Sequence, residues 1–343
     1  MRCSVLIALP TFNECSSIGA VLDDLLRDLP EGACIIVADG GSTDGTTAIV
    51  ETIRAGRQDL VLTENPRGLQ SAAVNLAARQ FGRDADYLVR CDAHCRYPAS
   101  YVRRLIDSLE RIEADSVVVT MDSAGTTCFQ KAIAWVSDTK IGSGGAAHRA
   151  GRRSGFVDHG HHGIMRMQAF DALGGYDETF AQNEDAEFDC RLRLGGGRIY
   201  LDSDIRITYL PRGTATGLFR QYFGYGHGRS RTVRRHPWSI RARQVAVPSA
   251  MLTCAIALAA APIFPILLVV PAAYLGCLVT ASVVLAVRHR SLCALLAGPA
   301  AAIMHSAWAL GFLGGLLMPG GRTAVGAAKA EPAKAYPAGE PVQ

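Results

Sequence analysis

The chain has 343 residues, a formal net charge of +4 and 49% hydrophobic residues. That length exceeds one ordinary domain of roughly 100–200 residues, so one large domain plus a further segment is expected. The charge is modest, yet Arg229, Arg231, Arg234, Arg235, Arg241 and Arg243 crowd one segment, whose place just before apolar spans favours a membrane surface over a nucleic acid. Mean hydropathy is +0.16, and the apolar excess lies after Val245 rather than being spread along the chain.

In chain order, residues 4–9 read as a buried strand, followed by a loop from Pro10 to Glu14 and a helix over 18–29 with Ser16 or Ser17 as its cap. A second apolar strand over 33–38 ends in a polar, glycine-rich turn from Asp39 to Thr46. Strand, helix and strand in this order define a βαβ unit and an α/β fold with a mostly parallel, Rossmann-like sheet. The turn suits a nucleotide approaching main chain at a helix start. It lacks both Gly-x-Gly-x-x-Gly and a following Gly-Lys-Ser/Thr, so the dinucleotide and P-loop readings lose their support.

A helix is expected over 46–55, a strand over 60–63, and a helix over 69–81 after the loop that contains Arg67. The apolar strand at Tyr87 ends in Asp92-Ala93-His94, an acid and an imidazole leaving the sheet together. Such strand ends collect ligands in α/β folds, and Asp with His can hold a divalent cation against a diphosphate. A helix over 100–112 and a strand over 116–121 follow, after which residues 122–157 read as an irregular loop with a basic stretch at His148, Arg149, Arg152 and Arg153. Of the ten cysteines, Cys3, Cys15, Cys34, Cys91, Cys95, Cys128 and Cys190 lack paired spacing and are expected to be buried thiols in a cytosolic domain. The apolar core at the N-terminus is too short for a signal peptide.

The ordered motifs Pro10-x-x-Asn13-Glu14, Asp39-Gly-x-Ser42-Thr43-Asp44-Gly45-Thr46, Asp92-x-His94, Gly174-Gly175-Tyr176-Asp177-Glu178 and Asn183-Glu184-Asp185 resemble the inverting glycosyltransferases of family 2. Arg90-Cys91-Asp92-Ala93-His94 and His159-Gly160-His161-His162-Gly163 are most similar to the branch of that family that builds succinoglycan. The resemblance spans roughly residues 1–240. It implies a GT-A fold and transfer of a sugar, glucose from UDP-glucose, to a polyprenyl-diphosphate-linked oligosaccharide in exopolysaccharide biosynthesis. Asp39 would accept from the uracil imide, with Pro10, Thr11, Glu14 and Arg67 completing the nucleotide site. Gly40 stands where relatives carry a second acid.

By the same resemblance Asp92 and His94 would hold Mg²⁺ or Mn²⁺ against the diphosphate, in place of the usual Asp-x-Asp pair. Asp185 would be the general base, since inverting transfer needs one carboxylate to take the acceptor proton. Glu184, His161, His162, Gln221, Arg229 and Arg231 would meet acceptor or diphosphate; the two arginines equally suit anionic headgroups. Rival readings are transfer directly to polyprenyl phosphate and a non-catalytic nucleotide-sugar sensor at the membrane.

Residues 245–287 carry no charge, enough for two membrane helices with a turn at Pro262 and Pro265. A third apolar segment covers 292–318, which either spans or is re-entrant. The basic, aromatic segment 219–243 would approach the membrane, and residues 319–343, rich in Ala, Pro and Lys, read as a disordered tail. The basic flanks place a catalytic domain over 1–240 on the cytoplasmic side of a bacterial inner membrane, with the membrane and other polysaccharide assembly enzymes as partners.

Overall fold

The structure, a computed structural model, describes residues 3–145, 149, 153–161 and 163–318. The expectations for His148, Arg152, His162 and the tail over 319–343 lie outside the described residues. The chain forms two compact units, the first reaching Thr120 and resuming from 153 to Tyr209, the second taking the segment after Met121 and the chain from Leu210 onward.

The first unit is built on β1 (Val5–Thr11), α1 (Ile18–Arg27), β2 (Ala33–Asp39), α2 (Thr46–Arg54), β3 (Leu60–Glu64), α3 (Gln70–Phe81) and β4 (Tyr87–Arg90). It continues through β5 (Cys95–Arg96), α4 (Tyr101–Ile112), β6 (Ser116–Ser123), β7 (Gly155–Phe156), β8 (Gly163–Arg166), α7 (Met167–Ala172), α8 (Glu184–Leu194) and β9 (Ile199–Tyr209), with α5 (Cys128–Ser137) and α6 (Lys140–Ser143) intervening in the second unit. The sheet order is β3-β2-β1-β4-β8-β6-β9-β5, with β7 beside β9. β3, β2, β1 and β4 are parallel, and Thr11 pairs with Asp39 as Asp39 pairs with Glu64. Their polar ends therefore line one edge. β8 runs antiparallel to β4 with Gly163 opposite Arg90, so the loop before β8 begins at that same edge. This register is what brings the histidine loop to the carboxyl end of β4.

The strands are apolar on both faces because helices cover the sheet. Leu6, Ile36 and Leu88 pack with Val74, Phe170 and Phe188 in one buried cluster. Phe170 and Phe188 stand 5.4 Å apart in a tilted pair, and each fully buried aromatic stabilises the unit by about 2–3 kcal/mol. Cys3 and Cys34 form a disulfide here, as Cys128 and Cys293 do in the second unit, correcting the expectation of separate thiols. The first pair is adjacent because β1 lies beside β2. A spacing of 31 residues carries no local sign of that.

In the second unit, α5 replaces the irregular loop expected over 122–157. Thr127 accepts from Gln130 N–H and Gln130 reaches back to Thr127 N–H, a capping box that starts the apolar run Cys128–Ser137. The unit continues with α9 (Ala215–Arg235), α10 (Ala242–Ala260), α11 (Val269–His289) and α12 (Ala297–Leu317). Segments Ala242–Ala260, Pro265–His289 and Leu292–Leu317 are each long and apolar enough to cross a membrane. α9 and α12 meet backbone to backbone: a Cβ added at Gly226 would lie 2.1 Å from Trp308 O, and one at Gly311 2.0 Å from Phe223 O. Arg234 donates to Gly315 O at 3.0 Å.

Candidate active site

Two loops at the carboxyl edge are tied into one platform. Asn13 N–H donates to Ser42 Oγ at 2.8 Å, Thr43 N–H to Asn13 Oδ1 at 2.8 Å, and Glu14 N–H to Thr46 Oγ1 at 2.8 Å. Asp44 takes Thr46 Oγ1–H on one oxygen and Cys15 N–H, at 3.0 Å, on the other. Asp39 is buried and accepts from Gly41 N–H, Ser42 N–H and Ser42 Oγ–H, which shapes the turn between β2 and α2. Thr11 is buried with its hydroxyl on Leu9 O. The motif residues before Glu14 and after Asp39 thus hold one another.

At the end of β4 the chain places Arg90, Cys91, Asp92, Ala93 and His94. Asp92 is 6% exposed, and its Oδ1 accepts from Gln70 Nε2 at 2.7 Å. His94 Nδ1 lies 3.1 Å from Glu14 Oε1, whose other oxygen accepts from Ser17 Oγ at 2.9 Å. His94 Nε2 stands 4.0 Å from Asp92 Oδ2. Glu14, expected at the nucleotide, orients this imidazole.

The loop before β8 approaches from the other side. A Cβ at Gly160 would lie 2.1 Å from Val118 Cγ2, and one at Gly163 1.8 Å from Val117 O, so glycine is required at both. His159 and His161, on either side of Gly160, meet two acids one turn apart on α8. His159 Nδ1 is 2.7 Å from Asp189 Oδ2, and His161 Nδ1 is 2.7 Å from Asp185 Oδ2. His161 Nε2 then lies 3.8 Å from Asp92 Oδ2. Asp185 Oδ1 accepts from Ala186 N–H at 2.7 Å. α8 begins at Glu184, whose backbone follows Asn183 at φ 64°, and three acids fill its first turn where the helix dipole favours them.

Arg90 joins the two halves. It is 3% exposed; its Nη2 is 3.1 Å from Glu184 Oε1, its Nε 3.9 Å from Asp92 Oδ1 and its Nη1 4.0 Å from Asp185 Oδ2. Nε and Nη1 have no hydrogen-bond partner among the described residues, so the guanidinium acts on Asp92 and Asp185 through charge. Burial works against the Asp185 anion, but His161, His159 and Arg90 hold its carboxyl well below the usual carboxylate range. Burial raises the Glu184 carboxyl, against the pull of Arg90 and with the repulsion of Asp185. Burial likewise raises Asp189 despite His159.

The structure therefore brings Asp92, Glu184 and Asp185 around Arg90, with His161 and His94 beside those acids and Glu14 behind His94. It places others elsewhere. Arg67 pairs with Glu178, which also takes Arg79 and Asn75 in the glycine-rich loop after α7. Gln221 donates to Tyr225 OH at 3.0 Å in the second unit. Arg229, expected at the diphosphate, is buried and donates to Ser239 O and to Ser239 Oγ, bracing the turn after α9. Arg231 is half-buried on α9. Arg90 and Gln70 had not been assigned roles. A lone arginine in an otherwise apolar strand was the available signal for the first.

No three His, Cys, Asp or Glu side chains form a metal cage among the described residues. What Asp92 Oδ2 and the nearby imidazoles offer is a partial donor set. That fits a cation whose remaining ligands are substrate oxygens and water, the habit of Mg²⁺ and of Mn²⁺ at phosphates.

Fold and site together define a GT-A sugar transferase, and the comparisons agree. Residues 6–174 match the model of glycosyl transferase family 2. The chain is 40% identical over 310 residues, 90% of its length and 94% of the relative's, to the succinoglycan biosynthesis protein ExoA of Rhizobium meliloti (strain 1021). It belongs to glycosyl transferase family 2. It is also 21% identical over 245 residues, 68% of this chain and 75% of the relative, to a dolichyl N-acetyl-alpha-D-glucosaminyl phosphate 3-beta-D-2,3-diacetamido-2,3-dideoxy-beta-D-glucuronosyltransferase of Methanococcus voltae. Among solved structures, the mannosyltransferase PcManGT of Pyrobaculum calidifontis, in complex with GDP-Man and Mn²⁺, shares the fold at a TM-score of 0.58 and 21% identity, over 89% of this chain and 88% of that one.

The Asp44 carboxyl falls from its ordinary 3.8 to about 2; burial opposes this, and the bonds from Thr46 and Cys15 outweigh it. A group lowered on folding stabilises the native state above its unfolded value and loses that contribution as pH falls through the folded one. Asp44→Asn should therefore cost about 1–2 kcal/mol at neutral pH, with the difference from the parent protein closing between pH 4 and about 2. Thermal unfolding of both proteins across that range reads the effect, and a pH-independent difference would refute it.

Proposed function

We propose that this family 2 enzyme is an inverting, membrane-anchored transferase. It moves glucose from UDP-glucose onto a polyprenyl-diphosphate-linked oligosaccharide during assembly of a succinoglycan-like exopolysaccharide. The observation that carries the mechanism is the convergence of Asp92 and Asp185 on one buried arginine, which puts a donor-side and an acceptor-side carboxylate in one site. The relative named for succinoglycan biosynthesis supports the product class. The archaeal relative, whose name describes transfer to a lipid-linked sugar phosphate, supports a lipid-linked acceptor.

Asp185 is the general base. His161 on Oδ2 and Ala186 N–H on Oδ1 fix its orientation, and the lowered pKa keeps it ionised. The acceptor hydroxyl loses its proton to Asp185, its oxygen bonds to the anomeric carbon, and the bond from that carbon to the diphosphate breaks on the opposite face. Glu184, neutralised by Arg90, borders the base and contacts the acceptor. Asp92 and His94 would hold a Mg²⁺ or Mn²⁺ ion, which supplies positive charge to the departing diphosphate. Asp39, with Pro10 and Thr11 at the end of the neighbouring strand, would face the nucleoside, while Glu14 holds His94.

α10 and α11 cross the membrane as a hairpin, with the Pro262 turn on the far side. α12 behaves differently. It shares backbone contacts with α9, whose Arg229, Arg231 and Arg234 resist the hydrocarbon, so α12 lies with α9 at the headgroup layer rather than spanning. Two crossings keep Arg241, Arg243, Arg288 and Arg290 on the cytoplasmic side, as the positive-inside tendency favours.

Membranes carrying the intact protein should pass radiolabelled glucose from UDP-glucose to the lipid fraction, and Asp185→Asn should lower transfer by at least about a hundredfold. UDP binding by the variant should persist. Transfer at the parental rate would remove Asp185 from the base role. A C-terminal alkaline phosphatase fusion should be inactive and a fluorescent protein fusion active; the reverse pattern would mean that α12 spans.

A further inference from the structure

Asp92 is held by two residues that touch neither of the reacting partners assigned above. The Tyr97 hydroxyl accepts from Asp92 N–H at 2.7 Å and donates to Asp92 O at 3.1 Å, so a single side chain clamps both backbone groups of the acid. Tyr97 is itself fixed. It is 4% exposed, its ring packs on Tyr101 at 4.8 Å between centroids, and its N–H donates to Asp24 Oδ2 at 3.1 Å. Asp24 also receives Arg96 Nε at 2.6 Å and Nη2 at 2.8 Å, which pins β5 to α1.

The carboxylate is fixed separately. Gln70, the first residue of α3, donates Nε2–H to Asp92 Oδ1 at 2.7 Å. The start of α3 is in turn set by Asn65, buried, which donates Nδ2–H to Leu69 O at 3.0 Å. With Oδ1 turned toward Gln70, Oδ2 is the oxygen turned toward His94 and His161, at 4.0 and 3.8 Å.

We infer that Tyr97 and Gln70 are positioning residues for Asp92: Tyr97 fixes the backbone from which the acid projects, and Gln70 fixes which oxygen it presents to a divalent cation bridging it to the diphosphate. The inference rests on the reading of Asp92 as a cation ligand. Residues that orient a ligating carboxylate typically carry about 10–100-fold in metal affinity. A side chain with only a packing role would lower the melting temperature without selecting for the cation.

The test uses the full chain in detergent. Mn²⁺ binding in the presence of UDP is followed by the loss of free Mn²⁺ electron paramagnetic resonance signal for the parent, Tyr97→Phe, Gln70→Leu and Asp92→Asn, alongside thermal midpoints and UDP binding without metal. Tyr97→Phe keeps the ring, and Gln70→Leu keeps the bulk at a helix start, so a folding failure of one leaves the other to decide. The inference expects each to weaken Mn²⁺ by about 10–100-fold, with metal-free UDP binding unchanged. If Asp92→Asn abolishes Mn²⁺ binding while Tyr97→Phe and Gln70→Leu bind it like the parent, the positioning role is wrong and the ligand role stands. If Asp92→Asn binds Mn²⁺ like the parent, the reading of Asp92 itself fails.

Discussion

A buried guanidinium is the constraint on which this site depends. Arg90 enters the core on β4 with 3% of its surface exposed, a placement that costs several kcal/mol unless anions compensate it. Glu184, Asp92 and Asp185 supply them within 4.0 Å, and those acids would in turn repel one another without it. Two residues on, the same strand leads into Asp92. The end of β4 and the start of α8, almost a hundred residues later, are thereby drawn together.

The rest of the first unit serves to keep that meeting in register. Parallel pairing aligns the ends of β1, β2 and β4, and antiparallel β8 returns the chain to the same edge. Gly160 and Gly163 let the returning loop press against β6, which leaves His159 and His161 on the acids of α8. Each imidazole facing Asp92 is turned by a carboxylate behind it, Glu14 for His94 and Asp185 for His161. Orientation by an acid at Nδ1 fixes where Nε2 points. The same acid on His161 is the one assigned to the acceptor proton, so base and imidazole are set as a unit.

Much of this was legible in the residues. β1 through β4 follow apolar runs that stop at polar turns, and α8 begins at Glu184 as its acid-rich first turn suggests. The family motifs point to Asp92 and Asp185, and the fold sets both at the site expected from short patterns that encode strand ends and helix starts. Partners distant in sequence were not legible. Arg67 looks like a loop cation available to a nucleotide until the fold sets Glu178 beside it, 111 residues away. Arg229 reads as a phosphate ligand from charge alone, whereas the turn after α9 buries it on Ser239. α5 was hidden by the glycines of 142–145, although Thr127 and Gln130 carried a capping signal ahead of an apolar run. Arg90 stands in the motif that ends at His94, but its role is not legible there because burial, not composition, makes it matter.

The central claim is that one buried arginine draws the donor-side and acceptor-side acids into one site, and the most direct measurement is glucose transfer by Arg90→Met and Arg90→Lys beside their UDP binding. Arg90→Met leaves buried acids uncompensated, so it should lose about 3–5 kcal/mol of stability and at least about a hundredfold in transfer, with UDP binding retained in the folded fraction. Arg90→Lys, which keeps the charge, should fall between it and the parent. Parental transfer by a folded Arg90→Met protein would contradict the account.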